Sequence, residues 1–138
     1  LPLSIIIGDV NGLKLVNDAF GHQEGDLLLC VFARIFEECC RREDLITRWG
    51  GDEFCAYLHN ADQEIAVRIA SRIQKSIEKL VLTTKNGISF SRTVSIGVSS
   101  LKSEETSAED LIKNADEALL KAKKKGKNKF EIFTPPLL

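Results

Sequence analysis

Leu45-Ile46-Thr47-Arg48-Trp49-Gly50-Gly51-Asp52-Glu53-Phe54-Cys55-Ala56-Tyr57-Leu58 reads as a β-hairpin. Residues 45–49 and 54–58 are two short apolar runs of strand character, and Gly50, Gly51, Asp52 and Glu53 form the turn between them. Paired glycines supply the positive φ angles that tight turns need. Upstream, residues 4–8 are an isoleucine-rich run ended by Asp9, the pattern of a buried central strand. If that strand neighbours the hairpin, the carboxylates of Asp9, Asp52 and Glu53 converge at one edge of a sheet.

The intervening and following segments supply the helices. Residues 25–40 carry Leu28, Val31, Phe32, Ile35 and Phe36 at helical spacing, so one face packs on the sheet. Residues 62–80 place Ile65, Ile69, Ile73 and Ile77 at strict i+4 intervals. In residues 107–125 the Ser107-x-x-Asp110 start resembles a capping box, lysines fill the last turn, and Gly126 stands where a helix-ending glycine belongs. Residues 93–100 alternate β-branched with small polar side chains and are expected to pair with residues 88–90 or with the hairpin. Residues 129–133 add an edge strand, stopped by Pro135 and Pro136. The order β-α-β-β-α-β-α-β predicts an α+β fold: a central antiparallel-rich five-stranded sheet with helices on one face, akin to the ferredoxin-like split βαβ.

A chain of 138 residues fits one domain, 1–138. With 43% hydrophobic and 28% charged residues it is neither disordered nor membrane-embedded in composition. Nineteen Lys and Arg against twenty Asp and Glu leave a net charge of −1, so no global field draws it to nucleic acid. No run reaches the length of a membrane span, and the N-terminus lacks signal-peptide features, which predicts a cytoplasmic domain without membrane contact. Opening directly on a strand suggests a piece cut from a longer protein. Cys30, Cys39, Cys40 and Cys55 show no metal-binding spacing and are expected to be reduced, mostly buried thiols.

Spacing alone leaves two readings of the acids. Carboxylates converging at a sheet edge suit a hard divalent cation shared with phosphates, while turns favour Asp and Glu in any case. Likewise Asn17 caps a turn or reads a ligand, Asp26 starts a helix or reads a ligand, and lysines 121–129 either complement a helix dipole or hold phosphate.

The run Arg48-Trp49-Gly50-Gly51-Asp52-Glu53-Phe54 resembles the signature turn of the GGDEF family of diguanylate cyclases. Asp9-Val10-Asn11-Gly12-Leu13-Lys14-Leu15-Val16-Asn17-Asp18, then Gly21-His22 and Gly25-Asp26, are similar to the family's first strand and following loop. These motifs stand at family spacing over almost the whole chain. The resemblance implies a polymerase-palm-like nucleotidyl cyclase fold that joins two GTP into cyclic di-GMP with release of two pyrophosphates. It implies two Mg²⁺ ions per GTP site, with Mn²⁺ as an alternative, on Asp9, Asp52, Glu53 and the Val10 carbonyl. Asp52 or Glu53 is then catalytic, relaying the hydroxyl proton. Asn17 and a buried Asp26 become the guanine readers. Gly50 and Gly51 line the substrate, and Lys14, Lys123 and Lys127 hold the triphosphate.

Arg41-x-x-Asp44 precedes the Gly-Gly turn by the spacing of the family's product-inhibition site, with Arg72 aligned to complete it. The implied partners are GTP, cyclic di-GMP, a second copy of the chain in a catalytic homodimer, and an upstream sensor or receiver domain. A cytoplasmic part of a membrane-bound sensor fits the same pattern. Two departures stand out: the family most often has Asp and Phe where this chain has Asn11 and Gly12. The competing reading is a catalytically silent receptor for GTP or cyclic di-GMP.

Overall fold

The computed structural model describes residues 2–101 and 106–134. In chain order they form β1 (Leu3–Val10), α1 (Leu13–Phe20), α2 (His22–Cys39), β2 (Leu45–Trp49), β3 (Glu53–His59), α3 (Gln63–Glu78), β4 (Leu82–Thr83), β5 (Ser89–Phe90), β6 (Val94–Ser100), α4 (Ala108–Lys124) and β7 (Phe130–Ile132). Five strands make the main sheet in the order β2-β3-β1-β6-β7, and β4 with β5 makes a separate ribbon. The expected α+β fold and hairpin are present.

β1 lies at the centre because its isoleucine run must be kept from water on both faces. Ile5, Ile6 and Ile7 are all fully buried, so both faces of the strand need cover. On one face Ile6 and Val10 join Phe54, Ile96 and Val98 beneath α2 and α3, with Phe32, Phe36, Ile69 and Ile73 as the main contacts. On the other, Ile5, Ile7 and Cys55 pack against Leu111, Ala115 and Leu119 of α4. This corrects the expectation of helices on one face: an uninterrupted isoleucine run is the mark of a strand covered on both sides.

Pairing also differs from expectation at β6. It pairs antiparallel with β1, from Ser4↔Ser100 to Val10↔Val94, and parallel with β7. Ser89–Phe90 instead pairs with Leu82–Thr83, and the hairpin lies on the far side of β1. β7 is the predicted edge strand, while Pro135 and Pro136 lie outside the described residues.

Helix ends follow the local chemistry. Asp62 accepts from Ile65 N–H and Ser107 from Asp110 N–H, each satisfying a first-turn donor. At the end of α4, Gly126 N–H bonds to Lys123 C=O and Lys127 N–H to Ala122 C=O, the double bond of a Schellman turn, with Gly126 at φ 114°. The one unforeseen helix is α1, eight residues between Gly12 and Gly21 with no side-chain cap and a single buried residue, Val16.

All four cysteines are free; Cys39 and Cys55 are buried, whereas Cys30 is exposed. Burial pushes the Cys40 and Cys55 thiols up to about 12, so neither is a ready nucleophile. Among the described residues no helix is long and apolar enough to cross a membrane.

Candidate active site

Strand register brings the acids together. Asp9, the second-last residue of β1, stands opposite Glu53, the first residue of β3. The next residue, Val10, donates its N–H to the Asp52 carbonyl at 3.0 Å, which fastens the hairpin turn to the end of β1. Within that turn Gly50 takes the left-handed conformation at φ 57°, and Arg48 donates to the Gly51 carbonyl at 2.9 Å. Of the two glycines only Gly50 uses positive φ.

From the other face α4 delivers Lys123, whose Nζ makes an ion pair with Asp9 Oδ2. Asp9 Oδ1 is buried and has no hydrogen-bond partner among the described residues. Burial holds the Asp9 carboxyl above its ordinary value of 3.8; Lys123 pulls it back and the nearby Asp52 carboxylate adds to the rise. Glu53 is raised above 4.5 by burial first, then by Asp9 and by Asp116 of α4. For Lys123 burial alone would lower the ammonium, but the Asp9 hydrogen bond and the surrounding carboxylates outweigh it and the net shift is upward.

The sign of the resulting pH dependence is fixed. Carboxyls raised in the native state keep their protons to higher pH than the unfolded chain does, so the native state binds more protons in that window. Their contribution to stability is present below 3.8 and 4.5 and declines as pH rises through the raised native values. Urea midpoints of the parent and Glu53→Gln, compared from about pH 4 to about pH 7 in metal-free buffer, are expected to show the variant gaining on the parent as pH rises.

On the α2 side of the hairpin, α2 and the β2–β3 strands enclose a cleft of about 200 Å³ lined by Leu29, Cys30, Ala33, Ile46, Arg48 and Phe54. Sequence reasoning gave this wall no role: Arg48 and Phe54 entered only through the signature run and Cys30 only as a thiol, because the apolar wall residues carry no chemistry of their own. Asp26 precedes Leu29 and Cys30 by one helical turn at the end of this wall. It is exposed, which corrects the expectation that it would be buried. Asn17 presses its side-chain oxygen onto α2 at Gly25, where an added Cβ would stand 1.8 Å from Oδ1; this brings Asn17 next to Asp26.

Not every candidate joins the cluster. Lys14 is exposed on α1 and pairs with Asp18 at 3.5 Å. Lys127, at φ 58°, is exposed in the turn after α4 and bonds only through its backbone among the described residues. Nor do three His, Cys, Asp or Glu side chains among the described residues gather so as to hold an ion unaided.

A second constellation lies at the other end of α2. Arg41 grips Asp44 with Nε at 3.1 Å and Nη2 at 2.9 Å, and its N–H adds a 2.7 Å bond to the same carboxylate. The Asp44 side chain is fully buried, and Arg41 also donates to the His59 carbonyl. Arg72 reaches the same corner from α3 through a 3.2 Å bond to the Cys39 carbonyl. The three residues therefore meet, with both Asp44 oxygens already committed to Arg41.

A sequence model described as "Diguanylate cyclase, GGDEF domain" matches residues 1–129. The chain belongs to the GGDEF domain family. Diguanylate cyclase A of Treponema denticola is 38% identical over 127 residues, covering 92% of this GGDEF domain and 34% of the relative, so the chain spans about a third of that protein's length. The active GGEEF domain of a diguanylate cyclase from Vibrio cholerae superposes with a TM-score of 0.90 at 32% identity, over 98% of this chain and 85% of that one. The GGDEF domain of DgcB from Caulobacter crescentus, solved in complex with c-di-GMP, has a TM-score of 0.86 at 25% identity, over 95% of this GGDEF domain and 77% of the other.

Proposed function

We propose that this domain is an active cytoplasmic diguanylate cyclase, in which each of two GTP molecules attacks the other's α-phosphorus through its 3′-hydroxyl, forming cyclic di-GMP and releasing two pyrophosphates. The observation that carries the reading is the register of Asp9 against Glu53, with Asp52 tied to Val10, in a chain whose family is that of the cyclases.

The donor set fits Mg²⁺. Asp9 offers a buried oxygen without a hydrogen-bond partner among the described residues, and the Asp52 carboxylate lies close enough to raise the Asp9 pKa. One or two carboxylates completed by substrate phosphates are how proteins usually hold this ion. Asp9 and Asp52 would hold it, with Glu53 and the Val10 carbonyl alongside. Bound there, two ions would favour deprotonation of the attacking hydroxyl and neutralise charge on the leaving pyrophosphate.

The chain's own groups do the rest. Lys123 supplies a cation that can transfer from Asp9 to a phosphate oxygen, with Lys14 and Lys127 as further point charges. Asn17 and Asp26 read guanine, since a carboxylate accepts from N1–H and the exocyclic amine together and adenine presents no such pair. Glu53, raised by burial, is suited to take the hydroxyl proton. Gly50 and Gly51 leave the hairpin turn free of side chains beside the substrate. A homodimer supplies the second GTP, in keeping with the two-fold symmetry of the product.

The test is to incubate the protein with GTP and Mg²⁺ beside Asp52→Ala and separate the products by chromatography. Cyclic di-GMP from the parent and not from the variant supports the reading. GTP bound without turnover would instead favour the silent receptor.

Feedback by product at Arg41, Asp44 and Arg72 is part of the same proposal. Asp44 here orients Arg41 rather than standing free, so its main contribution is to present the guanidinium. Arg41→Ala is expected to relieve inhibition by added cyclic di-GMP, checked by initial rates with and without added product.

A further inference from the structure

We infer that Arg92 is a further substrate-binding residue, one that contacts the triphosphate where β1 turns into α1; the inference rests on the cyclase reading above. Arg92 comes from the segment between β5 and β6, and the register Val10↔Val94 puts that segment just beyond the acid-bearing end of β1. Three bonds fasten the two together. Asn11 N–H donates to the Thr93 carbonyl at 2.9 Å, Asn11 Nδ2 to Thr93 Oγ1 at 2.8 Å, and Ser95 Oγ to Asn11 Oδ1 at 3.0 Å. Asn11 thus spends one end of its amide on Thr93, just before β6, and the other on Ser95 within it, which an aspartate, having no donor, could not do.

The residue after it makes room for the arginine. Gly12 sits at φ 78°, and a Cβ there would stand 3.1 Å from Arg92 Nε and 3.2 Å from Cδ. The guanidinium lies over the Phe90 ring, 5.6 Å from its centroid, and Phe90 stacks on Phe20 at 5.2 Å. These contacts hold the plane of the fork and leave its donors largely unused. Nη1 donates to Ser91 C=O at 2.7 Å, while among the described residues the buried Nε has no partner and no carboxylate pairs with Arg92. A guanidinium has five donors and no acceptor.

What such a group lacks is a ligand rich in acceptor oxygens and negative charge. Phosphate matches the fork in both respects. On this side of the sheet end Arg92 complements Lys123, which approaches Asp9 from the face covered by α4. Asn11, Gly12 and Arg92 form one device: the neutral amide leaves the guanidinium without a carboxylate at position 11 to pair with, and the absent side chain at Gly12 leaves it room at the turn.

Calorimetric titration of the parent, Arg92→Met and Arg92→Lys with GTP and with GMP, in Mg²⁺ buffer, tests this. Arg92→Met is expected to weaken GTP about tenfold while GMP shifts less than about twofold, and Arg92→Lys to recover part of the loss. Thermal melts run alongside; if Arg92→Met does not fold, Arg92→Gln takes its place. Equal losses for GTP and GMP would mean that Arg92 only braces the β4–β5 ribbon, and an unchanged GTP affinity would mean that it makes no contact; either overturns the inference and leaves the cyclase reading intact. A parent that binds no GTP overturns both.

Discussion

Asp9→Asn is expected to lower cyclic di-GMP formation by about a thousandfold, some 4 kcal/mol of transition-state stabilisation, while leaving the protein at least as stable as the parent. The two effects share one cause. Asp9 is almost fully buried beside Asp52, and burial already disfavours its charge, so the folded chain bears a penalty for keeping a carboxylate there. Asparagine keeps the shape and removes the charge, and Lys123, with a side chain about one third exposed, turns to water or to Glu53. Product assays and urea melts on the same preparation check the pair of outcomes. Activity retained within about tenfold would mean that Asp9 is not a metal ligand. A large drop in stability would mean that the Lys123 ion pair, rather than desolvation, governs this end of the sheet.

Gly97→Val is expected to destabilise the fold by about 3 kcal/mol, or about 10 °C in Tm, more than a typical surface change. Gly97 is where β6 and α4 touch most closely. A Cβ there would lie 2.1 Å from the Ala115 carbonyl oxygen, 2.4 Å from Leu119 N and 2.9 Å from Leu119 Cα. Those atoms are helix backbone and cannot rotate aside, so the helix itself must move. A 2.6 Å bond from Ser99 Oγ to the Leu111 carbonyl, one turn earlier in α4, resists that motion. Since α4 carries Lys123 to Asp9, the variant should also bind GTP more weakly than its residual folded fraction explains. Gly97→Ala, with the same Cβ and no more, should fall between parent and Gly97→Val. Denaturation midpoints for the three proteins decide it, and a Gly97→Val protein as stable as the parent would refute the tight contact.

Much of this molecule is legible in one dimension. The turn at residues 50–53, the isoleucine run ended by Asp9 and the i+4 isoleucines of α3 are local patterns in which side-chain period and turn chemistry agree. Together with the apolar spacing in residues 25–40 and the capped run at 107–125 they point to the hairpin, the central strand and three of the four helices described, while the meeting of Asp9 with the Asp52 turn waits on β1 pairing with β3. The helix missed, α1, is too short and too little buried for its period to stand out between two glycines. Other features depend on which surfaces come to face each other. The parallel β6–β7 pair, the exposure of Asp26 and the approach of Arg72 to the Arg41–Asp44 corner through the Cys39 carbonyl arise from long-range packing.

The site divides in the same way. Acidic residues at a strand end and a turn are visible because the backbone dictates where they go. The Lys123 partner on Asp9 Oδ2 exists only once α4 has packed on its face. Arg92 in sequence is one arginine between a short strand and a longer one. It acquires a place at the turn because Gly12 leaves the space and Asn11 binds Thr93, contacts between residues some eighty positions apart that only the folded sheet can make.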